Sequence, residues 1–167
     1  MMHVHLVPAD PTAEPQVLDL LKQAAIRLQE KGLSQWQNWL EPTSSDLDWI
    51  KEGFAAKEFY FIQNTDNEIL GAIRILTQDL LYWGDQAEKA LYIHSLTVLG
   101  KYAGQGIGQG IIDQVADQAA RSDCKWLRLD CNAGNPALCD YYEKQGFKQV
   151  GVRVFDDFSC NLYQRKV

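Results

Sequence analysis

Val98-Leu99-Gly100-Lys101-Tyr102-Ala103-Gly104-Gln105-Gly106-Ile107-Gly108-Gln109-Gly110 decides how this 167-residue chain is read. Before it, Ala90 to Val98 is rich in strand-forming residues; after it, Ile107 to about Arg121 repeats apolar residues at helical spacing. Glycine at every second position from Gly104 to Gly110 lets the backbone turn tightly and leaves N–H groups uncovered by side chains. A helix opening there adds its own unpaired N–H groups and the positive end of its dipole. The expected ligand is a phosphate or pyrophosphate.

Better-known glycine loops are excluded by spacing. A Walker loop ends in Gly-Lys-Ser/Thr, whereas the nearby Lys101 precedes the glycines. A dinucleotide fingerprint needs G-x-G-x-x-G, and its third glycine falls on Gln109 or Ile111. Asp130 could mimic the ribose-binding acid of that fingerprint, but one acid does not restore the pattern.

The stretch resembles the acetyl-CoA pyrophosphate loop of the GNAT superfamily of N-acetyltransferases, Gln/Arg-x-x-Gly-x-Gly/Ala, read here as Lys101-Tyr102-Ala103-Gly104-Gln105-Gly106 followed by Ile107-Gly108. Lysine at the first position keeps the positive charge without a planar fork or amide. A second motif of that family, Asn then Tyr-Glu-Lys-x-Gly-Phe, is matched by Asn135 and Tyr142-Glu143-Lys144-Gln145-Gly146-Phe147. The likeness is strong over about residues 90 to 150, and the first half fits only in its order of elements.

Outward from the loop, the chain reads as one domain over residues 1–167. His3 to Val7 alternates as a first strand. A helix follows from about Glu14 to Lys31-Gly32, and a second is capped by Ser44 or Ser45. Glu58–Ile62 and Ile69–Leu76 flank a turn and should pair as a hairpin, and Asp79 to Lys89 reads as an irregular excursion. Side-chain alternation places Tyr92, His94 and Leu96 on one face of the next strand. Cys124 to Cys131 completes a βαβ unit with the loop and its helix. Asn135-Pro136 starts another helix, and a closing hairpin flanks Asp156-Asp157. The expected fold is α/β (mixed α+β): a mixed, mostly antiparallel sheet with a central splayed parallel strand pair and helices on both faces.

Composition narrows the partners. A formal net charge of −6 argues against nucleic acid and tolerates a cationic acceptor. No apolar run approaches the ~20 residues of a membrane span. Four cysteines without C-x-x-C spacing and without a preceding signal peptide read as reduced cytoplasmic thiols, and three histidines not grouped with them give no metal site.

The resemblance implies an acetyl-CoA-dependent N-acetyltransferase, in which an acceptor amine attacks the thioester directly within a ternary complex. It implies that backbone groups of Leu96, Thr97 and Val98 hydrogen-bond the pantetheine arm. Lys101 and the Ala103, Gly104, Gln105, Gly106, Ile107 and Gly108 segment hold the pyrophosphate, Asn135 contacts the cofactor, and Tyr142 protonates the leaving thiolate. His94, with an ordinary pKa near ~6.5, is the base candidate, against a water path. Trp36, Trp39 and Trp83 are candidate walls for a small-molecule amine, against a purely structural role. A homodimer is left open, and the competing function is a non-catalytic acyl-CoA or nucleotide-binding sensor.

Overall fold

The computed structural model describes residues 2–167. Seven strands form one sheet in the order β1-β2-β3-β4-β5-β7-β6. They are β1 (Val4–Pro8), β2 (Phe59–Asn64), β3 (Ile69–Leu76), β4 (Ala90–Val98), β5 (Trp126–Asn132), β6 (Lys148–Val154) and β7 (Ser159–Lys166). Pairings β1–β2, β2–β3, β5–β7 and β6–β7 are antiparallel and β4–β5 is parallel. The helices are α1 (Glu14–Glu30), α2 (Ser44–Ala55), the one-turn α3 (Leu80–Trp83), α4 (Ile107–Arg121) and α5 (Pro136–Lys144). The mixed, mostly antiparallel sheet with one parallel pair is as expected. Among the described residues, no helix is long and apolar enough to cross a membrane.

The parallel pair is short. β4 and β5 are in register only from Ala90–Trp126 to Ile93–Leu129, although both strands continue. Two residues beyond Ile93, Ser95 has φ +55, a left-handed backbone rare for a side chain-bearing residue. A strand bent in this way cannot carry the two-residue alternation through Ser95. The expected common face of Tyr92, His94 and Leu96 is therefore interrupted.

The chain divides into two compact units, one comprising the residues up to Arg74 with Ser95–Ile111, the other Ile75–His94 with Ile112–Val167. In the first, Val17, Leu21 and Ala25 of α1 share an apolar cluster with Ile50 and Phe54 of α2 and Phe59 of β2. Thr43, not Ser44 or Ser45, caps α2: its hydroxyl accepts from Asp46 N–H at 3.2 Å, while the Asp46 carboxylate accepts from Thr43 N–H at 2.9 Å. Arg74, buried, donates from Nε and Nη2 to Glu58 Oε1 at 3.0 and 2.7 Å and lies over the Trp49 ring. In the second unit, β5 is enclosed by its neighbours, with Leu127, Leu129 and Cys131 buried. Asn135 caps α5, accepting from Leu138 N–H at 3.2 Å.

Candidate active site

The glycine loop belongs to the first unit. Strand β4 runs into a 3-10 turn over Gly100–Tyr102, and Gly104 and Gly106 follow with φ +77 and +75. α4 then opens with Gly110 N–H bonding to Gly106 C=O at 3.0 Å. Among the described residues, the N–H groups of 104–109 make no backbone hydrogen bond. Among the described residues, chain neighbours aside, no atom lies within 4 Å of where a Cβ on Gly104 or Gly106 would be. The glycines are thus required by backbone conformation, and the space beside them is open. A concave backbone segment with uncovered N–H groups at a helix start fits a phosphate-bearing ligand.

The segments assigned to the pantetheine arm have defined surroundings. Leu99 N–H donates to Leu70 C=O at 2.7 Å, and Arg27 Nη2 donates to Val98 C=O at 2.9 Å. Thr97 is buried, whereas Leu96 and Val98 are half-buried. Arg27 and Lys101 also line a hollow of about 550 Å³ with Gln23, Ile26, Leu99 and Gly100.

The titratable cluster belongs to the second unit and comes from three elements. His94 of β4 places Nε2 2.5 Å from Asp79 Oδ2 and Nδ1 3.6 Å from Asp130 Oδ1 of β5. Asp79 is buried and its other oxygen caps α3, accepting from Tyr82 N–H at 3.2 Å. One carboxylate therefore holds both the helix and the imidazole. Burial raises the Asp130 carboxyl; His94 opposes that rise, Asp79 adds to it, and the Cys160 thiol hydrogen-bonds the carboxylate. The Tyr82 ring stands 4.9 Å from the His94 ring and 5.1 Å from Phe155, which stacks at 4.8 Å on the exposed Phe158. Burial pushes the Tyr82 hydroxyl up, with the charges of Asp130, Cys160 and Asp79 adding to it.

Ligand atoms of Asp79, His94 and Asp130 lie within 4.8 Å of one another, close enough for a metal ion to gather. The two carboxylates face different ring nitrogens, however, and a metal takes only one. The geometry as it stands is a carboxylate–imidazole–carboxylate chain.

Tyr142 lies on the buried side of α5 and Tyr141 on its more exposed side, 8% and 38% accessible. Burial pushes the Tyr142 hydroxyl up, with Cys131, Tyr141 and Asp130 adding to it. Cys131 and Cys139 are free thiols with sulfurs 3.0 Å apart. Asn135 is buried at the start of the same helix.

The tryptophans have separate settings. Trp39 and Trp83 are each 8% accessible and sit in apolar clusters, and Trp83 lies beneath the Arg128 guanidinium. Trp36, half-buried with φ +64, packs at the edge of the α1–α2 cluster. From the sequence, Asp79, Tyr82 and Phe155 carry no site signal, and Asp130 is weighed only as a ribose-binding acid and set aside. What the sequence shows is only two acids and an aromatic pair in segments that read as loop or strand.

A model of the acetyltransferase (GNAT) family matches residues 21–147, a span that draws on both units. The chain is 27% identical over 156 residues to an uncharacterized N-acetyltransferase, YesJ, of Bacillus subtilis (strain 168), covering 90% of this chain and 83% of that protein. A crystal structure of a GNAT family acetyltransferase from Listeria monocytogenes 4b F2365 superposes with TM-score 0.79 at 25% identity, covering 99% of this chain and 96% of the other. One from Elizabethkingia anophelis, with acetyl-CoA bound, gives TM-score 0.66 at 18% identity, with 98% of each chain covered.

Proposed function

The chain belongs to the GNAT family of acetyltransferases, and from that premise we propose that it transfers an acetyl group from acetyl-CoA to a primary amine of a small molecule, by direct attack in a ternary complex. The observation that carries the reading is the Asp79–His94 pair at 2.5 Å. A sensor module has no use for a base oriented by a buried acid, whereas an amine that is an ammonium ion in water must lose a proton before it attacks.

Acetyl-CoA supplies an activated acyl group on a thiolate leaving group. Toward it, the open loop at Ala103–Gly108 and the start of α4 offer backbone N–H groups for the pyrophosphate, and Lys101 adds charge beside them. That a fold neighbour from Elizabethkingia anophelis has acetyl-CoA bound supports acetyl-CoA as the cosubstrate. Leu96, Thr97 and Val98 are the backbone partners for the pantetheine arm, with the Val98 N–H as oxyanion donor. Asn135 is assigned a cofactor contact at the head of α5.

The acceptor nitrogen forms a bond to the acetyl carbon, the carbon–sulfur bond breaks, and the nitrogen sheds two protons between ammonium and amide. We assign acceptance of one to His94. The other balances the charge of the departing thiolate. We assign Tyr142 to that sulfur as acid partner: its raised hydroxyl keeps its proton and donates a hydrogen bond to the sulfur as charge develops.

A panel of small primary amines incubated with acetyl-CoA and the protein, read by free-thiol release and by product mass, tests this function. An acetylated amine at a rate well above the protein-free control is the expected result. Binding of acetyl-CoA without turnover across the panel would favour a sensor.

A further inference from the structure

We infer that Asp79 is a positioning residue for the reaction, fixing the tautomer and aim of His94 so that the imidazole exchanges its proton through Nδ1, on the side of Asp130. The inference rests on the proposed role of His94 as base.

Asp79 is placed for this task while it also caps α3. It sits just before α3 in a segment whose sequence shows no regular pattern, yet it is 6% accessible. Oδ1 accepts from Tyr82 N–H at 3.2 Å, so the carboxylate cannot rotate away without uncapping α3. Oδ2 lies 2.5 Å from His94 Nε2, within hydrogen-bond reach. An acid held on one nitrogen favours the tautomer with hydrogen on that nitrogen, so a proton taken from an amine enters at the other. That other nitrogen, Nδ1, faces Asp130 at 3.6 Å, a gap longer than a hydrogen bond.

Charged and titratable groups face the ring from several elements. Asp79 precedes α3 and Tyr82 lies within it; Asp130 comes from β5, with Cys160 of β7 hydrogen-bonded to it. Arg153 of β6 is held further out, donating to Leu81 C=O at 3.0 Å and lying over the Phe155 ring. With the Asp79 carboxylate on Nε2, the protonated ring is stabilised, and removing that acid has a definite sign. Loss of the Asp79 charge weakens the hold on the proton, so the acid limb of kcat/KM moves to lower pH. The lost aim of the ring lowers its height. A purely structural defect would lower activity at every pH and leave the limb where it was.

The test compares wild type, Asp79→Asn, Asp79→Glu and His94→Gln as full-length chains. Ring ¹⁵N and ¹H NMR of His94, assigned by its loss in His94→Gln, reports the tautomer without requiring turnover. The wild type should show hydrogen on Nε2 when the ring is neutral, and Asp79→Asn should show a mixed or reversed population. With an amine substrate, Asp79→Asn should lose about 10²-fold in kcat/KM with its acid limb at lower pH, and Asp79→Glu should recover part of the loss. Acetyl-CoA affinity by calorimetry should stay within about twofold. An unchanged tautomer in Asp79→Asn, or an unshifted limb, overturns the inference. If no amine is turned over by the wild type, the proposed function fails while the NMR comparison still decides the role of Asp79. Should Asp79→Asn fail to fold, the tautomer of the wild type decides, and hydrogen on Nδ1 is the overturning result.

Discussion

A Cβ on Gly71 would lie 2.0 Å from the carbonyl oxygen of Thr97. β3 passes so close to β4 there that only a hydrogen fits, and the contact is to backbone, which cannot swing aside. Gly71→Ala must therefore push the Thr97–Val98 backbone out of place. We expect a loss of about 1–3 kcal/mol in stability, in the range of other overpacked sites, together with weaker acetyl-CoA binding. Urea unfolding and calorimetry on the same sample check both, and an unchanged urea midpoint would show that the strands move apart freely.

Gly106→Val probes a different constraint. The site is open to a Cβ, which would meet no atom of the described residues other than chain neighbours, but a β-branched residue at φ +75 is strained by roughly 1–2 kcal/mol. The fold should survive while acetyl-CoA affinity falls below detection, because the methyl groups occupy the space beside the loop amides. Full-strength binding by the folded variant would remove the loop from the cofactor site.

Tyr142→Phe keeps the ring packing and removes the proton. Because burial raises the Tyr142 hydroxyl and a thiol has a reference pKa of ~8.5, full proton transfer to sulfur is uphill, and the benefit is a strong hydrogen bond to the departing sulfur. The fall in kcat should lie at the low end of the ~10²–10⁴ range for a lost general acid. Tyr141→Phe, at the more exposed position, should change kcat little. A single-turnover assay in which Tyr142→Phe matches wild type would take Tyr142 out of the mechanism.

Asp130 gives a prediction in pH. Burial raises its carboxyl, so the folded chain keeps this proton where the unfolded chain, near its ordinary value of ~3.9, has lost it. By linkage, that site makes the protein less stable as pH rises above about 4. Asp130→Asn lacks the penalty. Its urea midpoint relative to wild type should move in favour of the variant as pH rises above about 4, and parallel curves would show that the charge is fully compensated.

Much of the scaffold was legible because its signals are local. The loop glycines, the Asn135-Pro136 helix start, and the β2–β3 and β6–β7 hairpins each depend on neighbours in sequence. What was missed depends on distance. The left-handed backbone at Ser95 has no residue signature, since serine seldom takes φ +55. The insertion of β7 between β5 and β6 is a choice among pairings that the sequence does not rank. Asp79 lay in a stretch read as irregular because a one-turn helix has too few residues to show a period, and its link to His94 spans fifteen positions. Thr43 was passed over for its serine neighbours, although Asp46 three residues on completes its capping box.

β6 is bonded to the sheet on one side only, and six of its seven residues are exposed. Its turn into β7 carries Phe155 and Phe158, the outer members of the aromatic run that reaches His94 through Tyr82. Amide exchange should begin in this hairpin, since one ladder and little buried surface hold it. Residues at its tip can therefore be replaced at small cost to folding while the Asp79–His94 pair stays fixed. The chain thereby separates a hairpin tip that tolerates replacement from a buried pair that does not.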